Sequence, residues 1–210
     1  GNSKIIKIYK KSLVLSNVQN DVLLGTILGD GHLQVSCSGK TARLEISHSY
    51  SSKDYVRWKK EIFGRWVICK PRHHKANNGF SFRTLSHPIL YKYQKIFYKD
   101  GEKIIPEQIG DLLKSPLSLA VWFMDDGNGY LKHEAYRIST YAFKHKGNIL
   151  LQECLYKNFG FVTNLTRDEK GFQLYIPIKN GNASKFKNLI EKYIIPSMNY
   201  KIVSPRNDFI

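Results

Sequence analysis

Two stretches decide the fold: Leu23-Leu24-Gly25-Thr26-Ile27-Leu28-Gly29-Asp30-Gly31, and about half a chain later Leu119-Ala120-Val121-Trp122-Phe123-Met124-Asp125-Asp126-Gly127. Both are apolar, both end in Asp-Gly, and each reads as a helix that stops at a glycine. Ser16 can cap the first, and Gln19 completes a capping box in which each side chain serves the other's backbone N–H. Ser115 can cap the second, with Pro116 at the first helical position, where its missing N–H costs nothing. Asp30 and Asp126 then fall at helix C-termini, with Gly31 and Gly127 expected in the usual glycine C-cap position.

The elements after each motif also repeat. After the first, residues 33–37 and 42–48 alternate as a hairpin around Ser38-Gly39-Lys40, and 52–66 is an amphipathic helix. A second hairpin, 68–74 and 79–85, turns at Asn77-Asn78-Gly79, and a helix over 88–97 is closed by Asp100-Gly101. After the second motif come strands 129–132 and 136–143, a helix 146–159 ending at Gly160, strands 161–167 and 172–178, and a helix 184–194. Ile104-Ile105-Pro106 and Ile194-Ile195-Pro196 close the two series. The expectation is an α+β fold of two pseudo-symmetric αββαββα halves, 13–112 and 113–203, each with a four-stranded antiparallel sheet. The halves should pack through the two motif helices, because Gly25 and Gly29 share one face and admit another backbone closely.

The chain has 210 residues, with 33 Lys+Arg against 17 Asp+Glu and a formal charge of +16. A 42% hydrophobic and 13% aromatic content excludes a disordered basic tail. That charge calls for an anionic partner, either nucleic acid or an anionic membrane surface. No apolar run approaches the roughly 20 residues of a membrane span. No charged-then-apolar leader opens the sequence, and Gly1 in place of Met reads as a trimmed start. Cys37, Cys69 and Cys154 are widely spaced and odd in number, as expected of free thiols in a reducing compartment. Cys69 precedes His73-His74 at a spacing that invites zinc, but no second cluster supplies further ligands. The expectation there is a buried Cys on a strand beside two exposed histidines.

An acid at a helix C-terminus meets the negative end of the helix dipole. Two such acids in two copies of one fold need a compensating cation, and two carboxylates brought together would otherwise raise each other's pKa. A hard divalent ion such as Mg²⁺ is the simplest answer. It would also supply what phosphodiester hydrolysis needs, an activated water and a stabilised leaving oxygen.

The strands divide into two faces. Leu33, Val35, Leu44, Ile46, Phe80 and Phe82 share the apolar parity in the first half, and Ile138, Leu165, Leu174, Ile176 and Ile178 in the second. Opposite them stand His32, Gln34, Ser36, Arg43, Glu45, Lys70, Arg72, Ser81 and Arg83, then Arg137, Ser139, Asn164, Thr166, Gln173 and Tyr175. Arg, Asn, Gln and Glu suit base edges in a DNA major groove. A solvated outer face alternates in the same way, and the +16 charge tips the reading toward DNA. Lys59, Lys60, Lys144, Lys146 and Lys179 are expected to meet phosphate or solvent.

On the two motifs and the repeated element order, over residues 13–203, the chain resembles the single-chain LAGLIDADG homing endonucleases, and is similar to the organellar yeast-intron type. The resemblance implies a site-specific DNA endonuclease that binds the major groove with two curved sheets. It implies cleavage across the minor groove, leaving 3′ overhangs and promoting intron homing. Asp30 and Asp126 match the metal-binding acids, with the carbonyls of Gly29 and Asp125 assisting. The metal would be Mg²⁺ or Mn²⁺, with Ca²⁺ binding but not supporting cleavage. Lys103 and Lys201 match the basic residues at the active-site edge, although Lys103 precedes its Ile-Ile-Pro and Lys201 follows its own.

The chain departs from the family pattern where Val121 and Asp125 replace small residues. The helix seam should therefore be asymmetric, with Trp122 and Phe123 turned into their own core. Asp125 either reaches metal, caps a neighbouring group or stays solvated. Arg43, Glu45 and Arg83 have no counterparts in the second half, so the double-stranded DNA target should be asymmetric and a monomer should suffice. The alternatives are an RNA maturase acting on intron RNA, and a non-catalytic DNA-binding protein, which the retained acids disfavour. No splicing domain flanks the motifs, so an intein is not expected. No membrane partner is expected, and the Lys-, Ile-, Tyr- and Asn-rich composition points to an organelle such as the mitochondrion.

Overall fold

The computed structural model describes residues 4–130 and 135–202; the end of the expected strand 129–132 and the boundary at 203 lie outside them. The elements are α1 (Lys4–Lys11), α2 (Asn17–Leu28), β1 (His32–Val35), β2 (Ala42–Ser49), α3 (Lys53–Phe63), β3 (Arg72–His74), β4 (Gly79–Arg83), α4 (Pro88–Phe97), β5 (Tyr98–Lys99) and β6 (Glu102–Lys103). They continue as α5 (Ile109–Leu112), α6 (Pro116–Asp126), β7 (Gly127–Tyr130), β8 (Ala135–Ser139), α7 (His145–Phe159), β9 (Asn164–Asp168), β10 (Gly171–Ile176) and α8 (Asn182–Ile190). The doubled αββαββα order is present. Helices α1 and α5 and the β5–β6 hairpin are additions to it.

Local chemistry explains the motif helices. The Ser16 N–H donates to Gln19 Oε1 at 3.0 Å and the Gln19 N–H donates to Ser16 Oγ at 3.2 Å, so the capping box is formed. Ser115 Oγ accepts from the Leu117 N–H at 3.2 Å, with Pro116 opening α6. The C-terminus differs from expectation. Gly127 has φ −81° and ψ 154°, extended rather than left-handed, and it starts β7 directly. Glycine is needed there for space, since a Cβ would lie 2.0 Å from Phe123 Cδ2.

Two antiparallel sheets of identical topology form, ordered β1-β2-β4-β3 and β7-β8-β10-β9. Because Asp30 and Asp126 are equivalent, so are His32 and Asn128. Their partners across the first strand pair, Glu45 and Arg137, must then correspond as well. This sets a residue-for-residue correspondence between the two sheets.

The chain forms two compact units. The first takes the described residues up to Leu23 and Asp30–Ile96. The second takes Leu24–Gly29 and the described residues from Phe97 on. The C-terminal half of α2 therefore belongs to the second unit. In the first unit Leu33, Leu44, Ile46, Phe80 and Phe82 cover α3 through Tyr55 and Phe63, all buried. In the second, Phe123, Tyr136, Phe161 and Phe186 form an aromatic cluster with centroids 5.1–5.8 Å apart. Trp122 and Phe123 are fully buried, as the asymmetric seam requires. Two apolar assignments fail. Val35 is 38% exposed at the end of β1, and Ile178 is 53% exposed because β10 stops at Ile176. Lys59, expected at phosphate or solvent, is fully buried, with its ammonium 4.4 Å from the Tyr55 ring centre.

The seam inside the second unit is a glycine face against larger side chains. A Cβ on Gly25 would meet the Ser118 carbonyl oxygen at 2.4 Å and Val121 Cβ at 2.7 Å. One on Gly29 would meet Asp125 Cβ and Oδ2, both at 2.5 Å. Val121 and Asp125 are tolerated because α2 offers no side chain opposite them.

Candidate functional site

Each motif helix ends in a cation as well as an acid. Asp30 follows Gly29 on the turn after α2, with its carboxylate side chain 47% exposed. The Lys103 ammonium donates to the Gly29 carbonyl at 2.6 Å. Asp126 is the last residue of α6, half-buried. The Lys201 ammonium donates to the carbonyls of Met124 at 2.6 Å and Asp125 at 3.2 Å. A lysine on the last carbonyls offsets the negative end of the helix dipole where the acid would otherwise be penalised. Asp125 packs its side chain on Gly29, inside the seam rather than in open solvent.

Lys103 and Lys201 reach equivalent places by different local routes. Lys103 is delivered by the β5–β6 hairpin, whose turn is Asp100-Gly101 with φ of 51° and 83°. The expected helix stop at that dipeptide is corrected here: Asp-Gly with two left-handed residues is the two-residue hairpin signature. Lys201 is delivered by a 3₁₀ turn, Pro196–Lys201. Lys103 also lines a cavity of about 340 Å³ with Lys99, Lys144 and Lys146. Lys144 pairs with Glu102 at 2.9 Å and Lys146 with Glu107 at 2.7 Å. Lys60 is half-buried and Lys179 exposed.

The polar sheet faces assemble largely as the alternation implied. In the first unit the cross-strand partners are Gln34 with Arg43, His32 with Glu45, Glu45 with Arg83, and Ser81 with Arg72. Glu45, Arg72, Ser81 and Arg83 line a concavity of about 510 Å³ together with Lys70. Lys70 and Cys69 lie in the irregular segment before β3, which covers only 72–74 of the expected 68–74. Cys69 is exposed, not buried on a strand. Ser36 lies just past β1, hydrogen-bonded to Ser38 and Thr41. Arg43 is held by Glu45 at 3.1 Å and by Gln34.

In the second unit Arg137 pairs with Tyr175, and Tyr175 with Asn164, while Ser139 pairs with Gln173 and Gln173 with Thr166. Gln173 is buried and donates to Asp168, so it braces the sheet more than it is presented. Register sets Glu45 against Arg137, Arg83 against Tyr175 and Arg72 against Thr166, so the two faces differ in charge at matched positions.

Three residues of the site were not assigned to it from sequence, although His74 was weighed there as a zinc ligand. Ser47 and His74 continue the same alternation and line the first concavity, so the alternation itself was a signal for them. His48, on β2, lies on the other parity, with Nδ1 3.4 Å from Asp30 Oδ2. Nothing in the local pattern marks it.

Among known proteins, residues 20–186 match the LAGLIDADG DNA endonuclease family. The probable intron-encoded endonuclease 1 of Wickerhamomyces canadensis is 31% identical over 215 residues, covering 96% of this chain and 91% of that protein. The solved structure of the homing endonuclease I-WcaI bound to its DNA recognition sequence superposes with a TM-score of 0.86 at 30% identity, covering 96% of this chain and 93% of that one. The cytochrome b mRNA maturase bI2 of Saccharomyces cerevisiae is 24% identical over 198 residues, covering 86% of this chain and 46% of that protein. Two motif helices, two matched sheets and a match over most of the chain have one common explanation: this protein belongs to the LAGLIDADG DNA endonuclease family.

Proposed function

We propose that the protein is a site-specific homing endonuclease that makes a double-strand break in a long asymmetric DNA site, leaving 3′ overhangs and promoting intron homing. The observation that carries this reading is the matched pair of helix ends, each with a motif acid and a lysine on the adjacent carbonyls. The halves 13–112 and 113–203 would each read one half-site through the polar sheet face, the unequal faces favouring an asymmetric target and a monomer.

The donors at each helix end fit a hard divalent cation, Mg²⁺ or Mn²⁺. Asp30 offers carboxylate oxygens in the first unit, and Asp125 and Asp126 offer theirs in the second. The carbonyls of Gly29 and Asp125 have a second lone pair beside the one each gives to lysine. Such an ion, when bound, activates water and stabilises the leaving oxygen of a phosphodiester. Lys103 and Lys201 would place positive charge where the phosphorane develops negative charge, already oriented by their carbonyl contacts. Lys99, Lys144 and Lys146 would take backbone phosphate, with Lys144 and Lys146 exchanging glutamate partners for DNA. An organellar setting accords with the intron-encoded relatives. Intron RNA as a second partner rests on the maturase relative alone.

The test is cleavage of the DNA that flanks the open reading frame, rejoined without the insertion, in Mg²⁺. Asp30→Asn and Asp126→Asn should each abolish the double-strand break while retaining target binding in a mobility-shift assay. Full cleavage by either variant refutes the mechanism.

A further inference from the structure

We propose that His48 is a metal ligand, its Nδ1 forming with Asp30 Oδ2 a mixed nitrogen–oxygen donor pair in the first half. The proposal rests on the reading that Asp30 holds a divalent cation. The two atoms lie 3.4 Å apart. Two donors on one ion, each bonded at about 2.1 Å, are separated by roughly 3.0–3.4 Å. The imidazole is fixed for the purpose: its side chain is only 10% exposed, on β2, and its ring packs 5.2 Å from that of Tyr55, which is buried. The Asp30 side chain opposite is half-exposed, so an ion can reach the pair from solvent.

The second half is built differently at this place. Glu45 corresponds to Arg137, so His48 corresponds to Thr140. Thr140 is buried, and its hydroxyl donates to Asn148 Oδ1 at 2.5 Å, which ties it to α7. A threonine committed to a helix offers no nitrogen donor. The two sites therefore differ in donor type. Imidazole favours first-row transition ions, whereas Mg²⁺ selects oxygen. The first-half site should take Mn²⁺ in preference to Mg²⁺ more strongly than the second does.

The experiment uses the full chain with substoichiometric Mn²⁺ alone, and pulsed electron paramagnetic resonance to detect nitrogen coupling. The expected result is a ¹⁴N modulation that changes to the ¹⁵N pattern when the histidines are ¹⁵N-labelled. That modulation should vanish in His48→Leu, which should also bind Mn²⁺ about tenfold or more weakly by titration. Absence of histidine coupling in the unsubstituted protein overturns the proposal, as does coupling that persists in His48→Leu or a failure to bind Mn²⁺. The isotope comparison needs no variant, so absence of histidine coupling overturns the proposal even if His48→Leu does not fold, and selective loss of the coupling in His48→Gln assigns it to this residue among the seven histidines. Cleavage of the target in Mg²⁺, measured on the same preparation, separates the outcomes. A protein that cleaves without histidine coupling loses this proposal and keeps its function.

Discussion

At Cys154 the thiol is buried under α5, with Sγ 3.8 Å from the carbonyls of Ile109 and Leu113. Burial pushes its pKa up to about 11, because a thiolate there would lose its hydration. Cys37 and Cys69 are exposed. A disulfide-exchange reagent at pH 8 should therefore titrate two thiols quickly in the native protein and the third only after unfolding. Raising the pH toward 10 should leave Cys154 slow, since its thiol stays protonated until the pH passes about 11. Three fast thiols in the native state would contradict the burial. Lys103 and Lys201 show the same kind of control at single residues. Each is held by one or two carbonyls, so its charge is placed before any ligand arrives.

At the scale of elements, the α2–α6 seam depends on what is missing from α2. Gly29→Ala would drive a methyl into Asp125, at a contact of 2.5 Å where nothing but the seam itself can give. Overpacking of this kind costs about 1–3 kcal/mol. Gly110, in α5, has open space for 4 Å around the place a methyl would take, and its φ is not positive. Gly110→Ala should therefore leave stability unchanged or raise it, by up to about 1 kcal/mol through helix propensity. Urea midpoints of the two variants test this directly, and equal midpoints would mean the seam relaxes freely. Both glycines were visible in the sequence, and the i, i+4 spacing of Gly25 and Gly29 foretold a close approach. Which side chains would oppose them was not visible, since that depends on the packing of residues far apart in the chain.

At the scale of the whole molecule, the +16 charge should govern how the protein meets DNA. Each phosphate neutralised by Lys or Arg releases condensed counterions, so affinity should fall by about a thousandfold or more between roughly 50 and 200 mM salt. Fluorescence anisotropy with a labelled target duplex measures the slope. A nearly flat dependence would mean that the basic residues do not meet the backbone. Among the described residues no helix is long and apolar enough to cross a membrane.

The sequence by itself determined the element order, the two capped motif helices and the parity of most strand residues. These follow from local periodicity and from side chains that serve their own backbone. Only the tertiary structure decided how Lys103 and Lys201 reach the carbonyls at the helix ends, one by a hairpin and the other by a 3₁₀ turn. It alone set His48 beside Asp30, and it made Gly127 an extended residue that yields space to Phe123. The physical reason is the same in each case. Turn type and strand register set where distant residues meet, and neither is encoded in the spacing of the residues that meet.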